Sequence, residues 1–364
     1  MPGTDGARPG DPVSVLGAMA RRAVVLLGEQ HDDADHHRWQ LQTLAALHAQ
    51  RPDMFIGFEM FPRRMQPVLD RWVAGELSER QFLEQAEWDK VWSMPAELYL
   101  PLFHFARLNR VPMLALNIEQ TLAREVATRG WNGVPEAERE GVGHAAEPVP
   151  AYVDFLFEIH RQHARMRGGK DEEVSREDAG FRNFLDAQLA WDRAMAEVLA
   201  SAAGGAAARG DGRPPLVAGI MGSGHVRFGH GVAHQLKDLG VEDVGILLPV
   251  AAATPCAEIV AGLADAVFAV PDAVRLPVPP PRLGVSLEEH RDGVRIAVVN
   301  AGSLAADTGL RAGDVITEAA GAPLKRSAAF AGLVRAQPSG TWLPLKLTRD
   351  GETVELVVRF PAAK

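Results

Sequence analysis

Two Gly-x-x-His motifs each follow a short apolar run. Gly28-Glu29-Gln30-His31 follows residues 23–27, and Gly222-Ser223-Gly224-His225 follows residues 216–221. Two further apolar runs also stop at polar residues: 54–58 at Glu59, and 113–116 at Asn117. Imidazole and carboxylate are the groups that hold a borderline divalent cation, and they are also the groups that move protons as general acid and base. Glu29, His31, Glu59 and His225 are therefore candidate metal ligands and, if the chain hydrolyses a substrate, candidate catalytic groups. The competing reading has His31 and His225 capping helices and bonding locally. His36 and His37 follow Asp32-Asp33-Ala34-Asp35, a run that reads as the acidic first turn of a helix, where carboxylates complement the dipole. Cys256 stands alone without a catalytic companion motif and reads as a small buried hydrophobe.

These groups need a scaffold that gathers them. The four runs, with 244–248 and 265–270, make six strand candidates alternating with helical patterns, as in βα units that build a mainly parallel sheet. In such sheets ligands bind beyond the carboxyl ends of the strands, which is where each polar group stands. Between the strands, Met65, Val68, Leu69 and Trp72 follow helical spacing, and Ser78-Glu79-Arg80-Gln81 is a capping box opening a helix. The interval from Asn117 to Leu216 exceeds one crossover, and its apolar stripe from Phe181 to Leu199 indicates helices. It reads as a helical subdomain of residues 120–200 inserted into an α/β domain of residues 13–270. Residues 201–215, rich in Ala and Gly, read as a surface loop.

A Pro-rich stretch, 271–281, predicts an extended spacer of about 30 Å at about 3.1 Å per residue. Beyond it, 282–362 reads as a second, mainly β domain with strands at 294–299, 343–348 and 353–360. Asp350-Gly351 marks a tight hairpin between the last two.

The chain has 364 residues, 47% hydrophobic and 23% charged, with a formal net charge of −9. That balance offers no basic field for nucleic acid, and no apolar stretch approaches the roughly 20 residues needed to span a bilayer. Met1 to Pro12 is polar and rich in Gly and Pro, so it does not read as a secretory signal.

Tyr99, one of two tyrosines, precedes Pro101, which suits the first turn of a helix. That places Tyr99 in a loop facing the same sheet edge. A phenolate can hold haem iron, and Trp88, Trp92, Met94, Phe103 and Phe105 offer an apolar bed for a porphyrin. Alternatively, Tyr99 is a half-buried aromatic with its hydroxyl in water. The candidate cofactor contacts are Tyr99, His31, Glu59, Asn117 and His225.

Six motifs stand in the order of a known family: Gly28-Glu29-Gln30-His31, Glu59-Met60-Phe61, Tyr99, Ala115-Leu116-Asn117, the string from Ala187 to Ala196, and Gly222-Ser223-Gly224-His225. Over residues 13–270 the chain resembles the ChaN-like haem-binding uptake family, in the superfamily that also holds the Tiki metalloproteases and erythromycin esterases. The resemblance implies haem-iron uptake, haems held at a homodimer interface, and a tyrosine on the iron, for which Tyr99 is the best match. The superfamily resemblance also implies metal binding or hydrolysis at positions like His31, Glu59 and His225, although no Gly-x-Ser-x-Gly elbow is present. Arg282-Leu283-Gly284-Val285, residues 294–299 and Gly309-Leu310-Arg311-Ala312-Gly313-Asp314-Val315-Ile316 resemble a bacterial PDZ domain. That implies a groove for a C-terminal or extended peptide, with Leu283, Gly284 and Val285 in its carboxylate loop and Leu333, on a helix at 327–336, facing the peptide. Family and module together imply a cell-envelope setting. Three functions remain open at this point: a haem-binding protein, a metal-dependent hydrolase, and a non-catalytic PDZ adaptor.

Overall fold

The computed structural model describes residues 2–3, 6–92, 94–166, 175–205, 214–271 and 281–362. The chain divides into two compact units, Met1–Ala273 and Val274–Lys364.

All six expected strands of the first unit form: β1 (Val24–Glu29), β2 (Met54–Pro62), β3 (Met113–Asn117), β4 (Leu216–Gly222), β5 (Val244–Ala251) and β6 (Ala266–Val270). They make one parallel sheet in the order β3-β2-β4-β1-β5-β6. Every residue of β1 and β4 is buried, because helices cover both faces; this is why the strands read as unbroken apolar runs rather than alternating ones.

One face is covered by α1 (Pro12–Met19), α2 (Ala34–Gln50), α3 (Gln66–Ala74), α4 (Glu79–Gln85), α5 (Trp88–Val91) and α6 (Leu100–Leu108). Its core runs through Trp39, Leu44, Phe58, Phe61, Leu69, Trp72, Phe82, Trp88 and Phe103. Ser78 and Gln81 close the expected capping box at α4. Asp33 caps α2 by accepting the N–H groups of Asp35 and His36, which fixes the two following histidines.

Between β3 and β4 lie α7 (Gln120–Arg129), α8 (Pro150–Met166) and α9 (Ala179–Gly205). The second half of α9 is not set apart from the sheet. Met195, Ala196 and Leu199 share a core with Val24, Leu26, Val217 and Met221, together with α10 (Val232–Asp238). Part of the expected insertion is thus a layer of the α/β/α sandwich, while Tyr152, Leu156 and Phe181 form a smaller cluster of α8 with the start of α9. Residues 201–205, expected in a loop, complete the last turn of α9; residues 206–213 of that loop lie outside the described residues. Cys256 is exposed, correcting the buried reading: it starts a short helical turn, Cys256–Glu258, beyond β5.

The second unit is antiparallel. Its strands are β7 (Val285–His290), β8 (Gly293–Val299), β9 (Val315–Ala319), β10 (Ala322–Pro323), β11 (Trp342–Arg349) and β12 (Glu352–Arg359). The order is β12-β11-β9-β8-β7, with β10 paired to β9, so β7 is an edge. Two helices, α11 (Leu304–Thr308) and α12 (Ser327–Arg335), complete it. Val294, Ile296, Ile316, Phe330, Leu345, Leu347 and Val358 form its core. Arg349 pairs with Glu352 across the expected hairpin, with φ of 50° at Asp350 and 84° at Gly351, the double left-handed turn that matches strand twist. Buried Asp314 is held by two 2.8 Å bonds from Arg349, which explains the acid in the Gly313-Asp314 motif. Except for its terminal Pro271 and Pro281, the expected spacer lies outside the described residues.

Candidate functional site

The carboxyl ends of β1, β2 and β4 bring Glu29, His31, Glu59 and His225 together as expected, but they do so as two paired sets. In the first set, the Tyr99 hydroxyl donates to Glu29 Oε1 at 2.7 Å, and His31 Nδ1 lies 2.8 Å from the same oxygen. His37, from α2, places Nδ1 3.2 Å from Glu29 Oε2 and Nε2 3.1 Å from the His31 carbonyl. Glu29 is 2% exposed. Burial would raise its pKa, but the bonds from His31, His37 and Tyr99 overcome that and draw it down to about 2. His31 and His37 are both lowered by burial and raised more strongly by Glu29, so both end above the ordinary imidazole value. This set is a buried carboxylate clamped between two imidazoles and a phenol.

In the second set, the Tyr152 hydroxyl donates to Asp192 Oδ2 at 2.7 Å, and His225 Nδ1 lies 2.7 Å from Asp192 Oδ1. The other ring nitrogen of His225 faces Glu59 Oε1 at 3.5 Å. Burial lowers the His225 pKa, yet its two carboxylate neighbours, Asp192 first, carry it up to about 9. Glu59 Oε2 in turn accepts the Gly222 N–H at 2.6 Å. Asn117 spends its amide on the backbone, donating to the Glu59 carbonyl at 2.7 Å and accepting from Ile118 N–H at 2.8 Å. It positions Glu59 rather than presenting a free polar group.

Gly222 joins the sets. A Cβ there would stand 3.0 and 3.2 Å from two atoms of the His31 ring, so the glycine of the second motif lets the histidine of the first lie against it. Among the described residues, no group of three or more His, Cys, Asp or Glu is disposed to hold a metal ion. The expected shell of Glu29, His31, Glu59 and His225 is not formed: Glu29 faces His31, His37 and Tyr99, while Glu59 faces the Gly222 N–H and His225.

Tyr99 does cap α6, with Pro101 in the first turn, and it does point at the sheet edge. It is fully buried, however. Its ring packs near His37, Trp88, Trp92 and Phe103. Trp88 and Phe103 belong to the core, with Trp92, Met94 and Phe105 packed against it. The expected porphyrin bed is therefore filled by the protein itself: aromatic side chains this large bury against one another when a sheet face is available.

Open space lies on the other side. A cavity of about 350 Å³ is lined by Ala151, Tyr152, Phe155, Gly224, Arg227, Phe228 and His230, residues of α8 and of the segment following β4. A second cavity, of about 370 Å³, lies over β1 and β5 and is bordered by Gln30, His36, Ser223, Arg227 and Pro249. Asp192, Tyr152, His37, Arg227, Phe228 and His230 stand at this edge without being among the site residues expected from sequence. The one available signal was Asp192, an acid inside the apolar stripe of α9.

In the second unit, Gly284 has φ of +77° and a Cβ there would strike Ser303 at 2.4 Å, so only glycine suits this loop. The Leu283 side chain is core, and the carbonyls of Leu283 and Gly284 accept the N–H groups of Ala305 and Asn300, each at 2.9 Å. Val285 and Leu333 are half-buried beside that core.

The fold and site define an α/β protein with a buried acid–histidine network at the sheet's carboxyl edge, joined to a PDZ domain, whose family model covers residues 281–359. The chain belongs to the ChaN-like haem-binding uptake family of the Tiki superfamily, whose model covers residues 15–236. ChaN of Campylobacter jejuni, solved with cofacially bound haem, aligns over 71% of this chain and 92% of its own at 17% identity and a TM-score of 0.52. The serine endoprotease from Yersinia pestis matches over 22% of this chain and 29% of its own, at 21% identity and a TM-score of 0.20. The HtrA3 PDZ domain with a phage-derived ligand matches over 21% and 82%, at 18% identity and a TM-score of 0.20. No curated protein sequence matches the chain.

Proposed function

We propose that the first unit binds haem, in the uptake or handling of haem iron, and that the second docks a C-terminal or extended peptide. The observation that carries the haem reading is the cavity beside α8. Phe155, Phe228 and the Tyr152 ring give it aromatic walls, and its exposed surface is almost wholly apolar. Apolar, aromatic walls are what the face of a porphyrin asks of a pocket. Its volume lies within the roughly 300–1,000 Å³ range of small-molecule sites.

The Tyr99 side is less suited to the same role. Tyr99 would have to leave Glu29 to reach a ligand, and burial together with the Glu29 charge pushes its phenol well above the ordinary value, against the phenolate that iron takes from tyrosine. The hydrolase reading finds no support in the pairing of the carboxylates. For the second unit, the reading rests on the edge position of β7, which leaves a row of backbone groups for an added strand.

Titration of the whole chain with haemin tests the main reading. A saturable Soret band at one haem per chain is expected, and absence of saturable binding contradicts it. Sedimentation with and without haemin reads whether a second copy associates over the cavity.

A further inference from the structure

The sheet of the second unit ends on β12, an unbroken strand of eight residues. The two-residue turn makes Arg349 and Glu352 a hydrogen-bonded pair, and such pairs alternate along an antiparallel ladder. The even-numbered residues of β12 therefore bond to β11. Thr353, Glu355, Val357 and Arg359 turn their N–H and C=O groups to the open edge, and among the described residues no backbone bond runs from them to another element. Open edges are normally blunted by proline, lysine, a bulge or a covering element. The opposite edge follows that rule. There β7 carries Glu288 and Glu289, the ladder with β8 slips register between Ile296 and Val298, and Glu289 accepts the Ser327 N–H of α12 at 2.9 Å. β12 has no proline, no lysine and no slip in register.

Its side chains form two faces. On the outer face Trp342 stands beside Arg359, Pro344 beside Val357, and Lys346 beside Glu355. Trp342 is 65% exposed and Val357 43%. The Arg359 guanidinium lies over the Trp342 ring at 5.2 Å, and Lys346 Nζ is 3.6 Å from Glu355 Oε1. On the inner face Val358 is buried, but Val354 and Leu356 are only half-buried.

The charges of this edge fit a second copy of the same strand. A two-fold axis at one residue pairs two antiparallel copies with each face kept on its own side. Placed at Glu355 or Arg359, the axis sets like charges against each other. At Leu356 it sets Glu355 against Val357, and at Val358 it sets Val357 against Arg359. At Val357 it sets Glu355 against Arg359 twice, and Val357 against itself. That register also continues both faces. Leu343 and Val358 meet the second copy's Leu356 and Leu345, while Trp342 and Arg359 meet its Glu355 and Lys346.

We propose that the chain self-associates through β12 with Val357 on the two-fold axis, joining two sheets edge to edge. Opposite charges and apolar side chains directly across a strand pair stabilise it, and like charges oppose it. The association rests on neither the haem nor the peptide reading. It leaves both β7 edges free, so on the peptide reading one dimer offers two grooves.

Sedimentation of the full chain without haemin, at up to about 100 µM to reach weak interfaces, tests the proposal. Wild type is expected to self-associate. Glu355→Arg and Arg359→Glu should each weaken association about tenfold or more. The two changes together should restore it, an outcome that mere loss of folding would not give. Val357→Cys in a Cys256→Ser chain should form a disulfide-linked dimer on mild oxidation, because Cα atoms about 5.5 Å apart in such a pair lie within disulfide reach. A wild-type chain that stays monomeric overturns the proposal, and so does capture of an extended peptide at β12 in place of a second copy. Association unchanged in either charge reversal, or not regained in the double variant, overturns it as well.

Discussion

The two halves of the sheet edge carry nearly the same chemistry. On one side Tyr99 donates to Glu29, which holds His31; on the other Tyr152 donates to Asp192, which holds His225. Both phenols bond at 2.7 Å to a buried carboxylate, and both histidines are drawn toward the charged form. What differs is the space behind each tyrosine. Behind Tyr99 the rings of Trp88 and Phe103 close into core. Behind Tyr152 a cavity opens between Phe155, Phe228 and His230. Local polar geometry alone therefore does not locate a ligand site; the packing of the apolar side of the same residues does.

Removing the central carboxylate of each set breaks the comparison most severely. Glu29→Ala strands His31, His37 and the Tyr99 hydroxyl, and Asp192→Ala strands His225 and Tyr152. Each is expected to cost about 3–5 kcal/mol in urea unfolding, the usual penalty for breaking a buried pair. If either costs under about 1 kcal/mol, that set is solvent-screened rather than buried.

The sets also separate by pH. His225 is raised from 6.5 to about 9, so its contribution to stability is complete below pH 6.5 and is lost as pH rises through about 9. Glu29 is lowered from 4.5 to about 2, so its contribution is complete above pH 4.5 and is lost as pH falls toward 2. Stability from these two groups should be level between those limits. Asp192→Asn should flatten only the alkaline limb of the unfolding profile, and a matching change in the acid limb would show the sets to be coupled.

The smallest expected effect is on the open side. Phe228 has φ of 59°; Phe228→Gly relieves this left-handed backbone and should raise stability by about 1 kcal/mol at most. Haemin binding should weaken all the same, because the cavity loses its wall. A variant both less stable and unchanged in binding would mean that Phe228 serves packing.

The sheet was legible because parallel strands buried on both faces leave continuous apolar runs, and the polar residue ending each run falls at the edge where ligands bind. The second domain was legible for a similarly local reason: Asp350-Gly351 specifies its hairpin, and Gly313-Asp314 marks a buried acid. The pairing at the edge was not legible. Tyr152 and Asp192 stand 40 residues apart on different helices, and no local periodicity couples them. Tyr99 and Tyr152 look alike in sequence, since each precedes helical apolar residues, and only three-dimensional packing shows which one borders open space. His37 was hidden by its neighbours: the acidic run before it does cap α2, but the same cap turns His37 inward onto Glu29. The left-handed backbone at Phe228 leaves no mark on residue type at all, as phenylalanine is not a residue expected there.

A steric block tests most directly on which side haem sits. Gly224 borders the cavity, and a Cβ there would lie 3.9 Å from the Phe155 ring, an ordinary contact distance, so the side chain of Gly224→Leu is aimed at the cavity, with urea unfolding of the variant checking that the fold is kept. Haemin titration of Gly224→Leu beside Tyr99→Phe is predicted to show binding abolished in the first and retained in the second. Retained binding in Gly224→Leu with loss in Tyr99→Phe would contradict the account and return the site to the Tyr99 side.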